Sequence, residues 1–139
     1  MRARPKERFS ATYKLDPTEA ATFARTSGDD NPLHSDADFA ATTRFGRPIA
    51  SGTQTTALLL GLTASHFSKR GVMVGLEFSV QFRRAIHADD TIEVEWMVVK
   101  VTPSPKLQGD VVDLRGRIRR LDGATAVGAK GKVLVTDSL

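Results

Sequence analysis

The chain has 139 residues, 40% hydrophobic and 26% charged, which suits one domain with its own core and is too apolar for a disordered segment. It has no cysteine, so disulfides and thiolate chemistry are excluded, and no apolar run approaches the ~18 residues a membrane span needs. A net charge of +4 and a pI near 9.8 raise nucleic acid as a partner; against it, Lys and Arg are scattered among acids and aromatics make up only 6%. Neither nucleic acid nor membrane is expected as a partner, and the basic balance equally suits an anionic ligand or simple solubility.

Residues 1–8 form a basic stretch with no apolar run behind it, which reads as a flexible tail and not as a secretory signal. A single domain is expected over 9–139, with the cytoplasm as the default location. Residues 9–15 suit a short first strand. Asp16-Pro17-Thr18-Glu19 is a helix start, with Asp as N-cap, Pro at the first position and Glu three residues after the cap. That helix stops at Gly28. Ser35 with Asp38 three residues on is a second, weaker capping pattern, and Phe45-Gly46-Arg47-Pro48 ends the short helix it opens.

From residue 53 to residue 67 no charge occurs, and Ala57, Leu58, Leu59, Leu60, Leu62 and Ala64 make a helix apolar nearly all round, which must be buried. After Gly71 the period becomes two. Val72, Val74, Leu76, Phe78, Val80 and Phe82 alternate with polar or small residues, the pattern of a half-buried strand. Three further strands follow around Ile92–Val98, Val112–Ile118 and Val127–Val135, separated by Pro103-Ser104-Pro105 and by the hairpin signal Leu121-Asp122-Gly123. One buried helix and about four long antiparallel strands make an α+β domain with the sheet curled round the helix.

The chemistry concentrates in Ser27-Gly28-Asp29-Asp30-Asn31-Pro32-Leu33-His34. Gly28 can take dihedrals closed to other residues, while Pro32 holds itself and Asn31 out of regular helix. The result is an ordered loop that can aim its polar side chains at one spot. Asp29 and His34 supply a carboxylate and an imidazole around a shared water, which is general acid–base chemistry. Asn31 either orients one of that pair or bonds its own loop backbone. Asp30 faces solvent or caps the loop. Gly52, opening the charge-free helix, is either a tight helix entry or a place where a ligand meets backbone N–H groups. His66 and His87 lie far from His34 with no ligand spacing, so no metal site is expected. The nucleophile-elbow, P-loop and dinucleotide fingerprints are absent.

The run Phe23-Ala-Arg-Thr-Ser-Gly-Asp-Asp-Asn-Pro-Leu-His34, followed by Ala40 and by Phe45-Gly-Arg-Pro-Ile-Ala-Ser-Gly52, resembles the signature of the MaoC-like, R-specific enoyl-CoA hydratases. Two positions depart from it: Thr26 stands where a small apolar residue is usual, and Ser51 where many relatives carry His. The resemblance implies a hot-dog fold and a homodimer or an assembly of dimers. It places the catalytic pair on Asp29 and His34 and the oxyanion amide on Gly52, with Gly28, Asn31, Pro32 and Ser51 supporting the loop. The implied reaction is reversible hydration of trans-2-enoyl-CoA to (R)-3-hydroxyacyl-CoA, with no metal or redox cofactor and with coenzyme A only as substrate carrier. Alternatives are a 3-hydroxyacyl dehydratase acting on acyl carrier protein (ACP), a hot-dog thioesterase and a non-catalytic acyl-CoA-binding subunit. Lys69, Arg70, Arg83, Arg84 and Lys130 are each more simply surface residues than contacts to the coenzyme A phosphates.

Overall fold

The computed structural model describes residues 3–137. The elements run β1 (Arg8–Lys14), α1 (Pro17–Thr26), a 3-10 turn (Pro32–His34), α2 (Ala37–Ala41), α3 (Gly52–Phe67), β2 (Val72–Phe82), β3 (Thr91–Ser104), β4 (Gly109–Arg120) and β5 (Thr125–Thr136). The strands form one antiparallel sheet of five in the order β1-β3-β4-β5-β2, and α3 lies against one face of it. This is the hot-dog arrangement, with the expected short first strand as an edge of the sheet. Ala88-Asp89-Asp90, turn-forming residues that on sequence grounds mark a reversal before β3, do not join neighbours, because β2 and β3 are separated by β4 and β5. The turn at Leu121-Asp122-Gly123 does join neighbours, with Gly123 at φ 84°.

The alternation anticipated in β3 to β5 becomes the core. Val94, Trp96 and Val98 of β3, Val112, Leu114 and Ile118 of β4, and Val127, Val133 and Val135 of β5 are buried together with Leu59 and Phe67 of α3. Trp96 is the largest fully buried side chain, and its indole N–H donates to the Leu59 carbonyl at 2.9 Å. The ring lies over Gly116, its register partner on β4, where a Cβ would come within 2.5 Å of the indole. Glycine is therefore required for the tryptophan to lie flat between sheet and helix.

Burial of α3 is one-sided in a single chain. Gln54, Thr55, Leu59, Thr63 and Phe67 are buried, while Thr53, Ala57, Gly61 and Ala64 are exposed. The sheet covers one face only, and the other carries small residues. The second helix is capped by Asp36, whose carboxylate accepts from the Phe39 N–H at 3.0 Å. Ser35, the cap suggested by spacing, instead follows the 3-10 turn.

The N-terminal segment differs from the expected flexible tail. Met1 and Arg2 lie outside the described residues, but Ala3 is fully buried, the Lys6 N–H donates to Val98 O and the Val98 N–H to Glu7 O, both at 2.8 Å. Glu7 is the reason this basic stretch is held. Its carboxylate pairs with Arg70 and lies 2.6 Å from His66 Nε2, partners 63 and 59 positions away. The next aromatic, Phe9, stacks on the His66 ring with centroids 3.8 Å apart. Burial alone would raise the Glu7 carboxyl, but the hydrogen bonds from Arg70 and His66 outweigh it and hold it down to about 2.

A carboxyl whose folded pKa lies below its unfolded value stabilises the fold above the unfolded pKa and loses that contribution as pH falls through the folded one. From an ordinary 4.5 to about 2, the contribution is on the order of 3 kcal/mol. Stability measured by urea unfolding should therefore fall as pH drops from about 4.5 towards 2. Glu7→Gln should lower stability at pH 7 and flatten that part of the profile. An unchanged acid limb in the variant would show that the clasp contributes nothing.

Candidate active site

The loop that carries Asp29 and His34 is built by the end of α1. Ser27 is its C-cap and Gly28 follows at φ 80°, the left-handed conformation glycine adopts without strain. The Gly28 N–H returns to Arg25 O at 3.0 Å and the Asp29 N–H to Ala24 O at 2.8 Å, the paired bonds of a Schellman motif. Asp29 is thus positioned by the helix end and not by a free loop. Its Oδ1 accepts the Asn31 N–H at 3.0 Å, leaving Oδ2 to face His34.

Asn31 bonds its own loop: its side chain accepts the Leu33 N–H at 3.1 Å and caps the 3-10 turn, with Pro32 at the turn's first position. Proline fits there because its missing N–H would have no partner in the turn. The turn delivers His34 into a buried position, 7% exposed. His34 Nε2 lies 3.3 Å from Asp29 Oδ2, and Nδ1 lies 2.8 Å from Ile49 O. A carbonyl only accepts, so Nδ1 carries a hydrogen and Nε2 is the nitrogen free to exchange one. The Ile49 carbonyl is steadied by its neighbours: the Ile49 N–H donates to Leu33 O at 3.0 Å and the Ala50 N–H to Ile86 O at 2.7 Å.

The same segment leads into α3. Ser51 is fully buried and caps the helix, its Oγ accepting the Gln54 N–H at 3.1 Å. Ser51 Oγ also lies 2.9 Å from Thr53 Oγ1, which in turn is 3.3 Å from Ser27 Oγ beside Gly28. The loop and the helix entry are therefore linked through hydroxyls as well as through Ile49. Gly52 is the first residue of α3, so its N–H has no intrahelical acceptor. A Cβ at Gly52 would meet the Phe82 ring at 3.0 Å. Asp30 is exposed.

Three contributors carry no sequence signal of their own. The Ile49 carbonyl is a backbone acceptor that any residue would supply, Phe82 reaches Gly52 from the end of β2, and the buried Gln54 Oε1 has no partner among the described residues. No group of three or more His, Asp or Glu among the described residues is arranged to hold a metal ion, and no helix among them is long and apolar enough to cross a membrane. Chemically, the pair offers one carboxylate oxygen and one imidazole nitrogen that can hold a water between them and exchange protons with it.

The chain is similar to proteins of known activity and fold. The chain is 35% identical over 132 residues, 95% of its length and 90% of the relative's, to an (R)-specific enoyl-CoA hydratase of Aeromonas caviae. It is 30% identical over 90 residues to a 3-hydroxybutyryl-CoA dehydratase of Methylorubrum extorquens, covering 57% of that protein. Among solved structures, the (R)-hydratase from A. caviae involved in PHA biosynthesis superposes with a TM-score of 0.87 at 29% identity, over 96% of this chain and 97% of the other. The profile of the MaoC like domain matches residues 2–114, from before β1 through the Asp29/His34 loop and α3 to the middle of β4; the chain belongs to the MaoC-like domain family.

Proposed function

We propose that this protein reversibly hydrates trans-2-enoyl-CoA to (R)-3-hydroxyacyl-CoA, using a water held between Asp29 and His34. The approach of His34 Nε2 to Asp29 Oδ2 at 3.3 Å, with Nδ1 committed to the Ile49 carbonyl, is the observation that carries this reading. The pair takes a proton from the water as its oxygen bonds to the β-carbon, and a proton is returned to the α-carbon on the same face. Negative charge gathers meanwhile on the thioester carbonyl oxygen. The Gly52 N–H, at the positive end of α3, is the donor for that oxygen. Its lack of a Cβ keeps the approach open. Gly28, Asn31 and Pro32 hold the loop, and Ser51 holds the helix entry. The reaction calls for no metal or redox cofactor. The acyl group arrives on coenzyme A, or on ACP, and assays with both thioesters separate the two carriers.

A homodimer accompanies this reading. β2 is an edge strand, and Val74, Leu76 and Phe82 on it are 38%, 46% and 58% exposed, which is an edge prone to pairing. The exposed small-residue face of α3 permits a second helix to approach. Light scattering should give twice the chain mass or a multiple of it. A stable monomer at micromolar concentration would remove the dimer from the proposal.

Asp29→Asn and His34→Ala should each lower the hydration rate of crotonyl-CoA by about 10²–10⁴. The double variant should be little worse than either single one, since residues acting as a unit are not additive. Full activity in both single variants would refute the site assignment. Gly52→Pro removes the donor and also adds a ring to the approach, so Gly52→Ala, which keeps the N–H, is the control for bulk. Proline is tolerated at a first helical position, and Ser51 already has the extended ψ of 148° that a residue before proline prefers. The exposed Phe82 ring must turn aside. With circular dichroism unchanged, kcat should fall by about 10²–10³, and retained kcat would exclude the Gly52 amide.

A further inference from the structure

The face of the sheet turned away from α3 carries a trough of about 650 Å³. Successive strand residues point to opposite faces, so with Trp96 buried against α3, its neighbours Glu95 and Met97 line the outer side. Five cations, Arg8, Arg83, Arg115, Arg117 and Lys130, line it against one carboxylate, Glu95. That carboxylate is already shared: Arg8 and Arg117 both bond its Oε1, at 3.3 and 3.1 Å. Arg83 reaches only the neutral Gln81 Oε1, at 3.4 Å.

Arg115 and Lys130 are directly opposite in the β4–β5 register, about 5 Å apart at Cα. Both are exposed, and neither has an ion-pair or hydrogen-bond partner among the described residues. Like charges placed opposite one another destabilise a sheet, so this pair is a cost to the unliganded fold that a bound anion would remove. We propose that the outer trough is an oligophosphate-binding site, taking a free nucleoside diphosphate or triphosphate, separate from the thioester site on the helix side of the sheet. The volume is that of a small-ligand site. Cations on adjacent strands lie roughly 5 Å apart, a density matched by charges that follow one another along a phosphate chain. Arginine forks suit phosphate oxygens. The spaced carboxylates of an acidic peptide do not match that density.

Titration calorimetry with tripolyphosphate and with adenosine diphosphate tests the site. The wild-type protein should bind both, with affinity falling as salt rises, and should melt at a higher temperature in their presence. R115Q/K130Q should weaken binding by about tenfold or more and abolish the ligand-induced rise in melting temperature. Without ligand, the variant should melt at or above the wild-type temperature, whereas loss of a merely structural ion pair would lower it. Its kcat and KM for crotonyl-CoA should be unchanged, and R83Q provides a second, independent weakening should the double variant fold poorly. Absence of wild-type binding at millimolar ligand would overturn the proposal, as would binding that survives in R115Q/K130Q. A raised KM for crotonyl-CoA would do the same by assigning these cations to the substrate's own phosphates. The titration reads the trough even if no thioester is turned over, so failure here is distinct from failure of the hydratase reading.

Discussion

The seat of Trp96 is the constraint on which the rest of the molecule depends. Its indole donates to the Leu59 carbonyl in the middle of α3 and rests on Gly116 of the next strand. Helix packing on a sheet is otherwise set by the non-directional burial of apolar area. One buried hydrogen bond adds direction, because leaving either group unpaired there costs about 1–3 kcal/mol. The axial position of α3 on the sheet is thereby set, and with it the place of the helix's first residues, Ser51-Gly52.

From that end the site is assembled by backbone. The Schellman bonds of α1 place Asp29, the 3-10 turn places His34, and Ile49 joins that turn to the strand-like approach to α3. Such a construction explains why few of the groups are remarkable singly. A carboxylate, an imidazole and a carbonyl acquire their roles from three short local motifs whose ends meet. At the opposite end of α3, Glu7 clasps His66 and Arg70 and ties the N-terminal segment to the helix. The two ends are thus held by different means, hydroxyl and backbone bonds at the site and an ion cluster away from it.

The fold also brings together part of the chain's positive charge. Arg115, Arg117 and Lys130 come from strands whose other face is the core, so alternation alone sends them outward together. The Asp29/His34 pair on the helix side contains one carboxylate and one imidazole and has none of these cations among its partners. Five of the chain's 20 Lys and Arg residues, scattered along the sequence, meet at one trough on the outer sheet face.

Much of this was legible in the residues. Period-two alternation in β3 to β5, the Asp16-Pro17-Glu19 start and the Gly28 stop are local signals that local geometry obeyed. In β2 the strand forms, but Val74, Leu76 and Phe82 stay exposed on an edge with a register shift between Gly75 and Glu77. The approach of Asp29 to His34 was legible as well, since Gly28 permits the turn before them, Pro32 restricts the backbone between them and they are only five positions apart. Other features depended on partners far away in the chain. The N-terminal stretch read as a tail because nothing near Glu7 reveals His66 and Arg70, and the apolar helix read as buried on all sides because sequence does not say which face the sheet covers. The tautomer of His34 rests on the Ile49 carbonyl, an atom every residue type possesses. Side-chain pattern and turn chemistry act over a few residues and so are written locally; strand order, the covered face and backbone acceptors arise only when distant segments meet, and tertiary structure alone decided them.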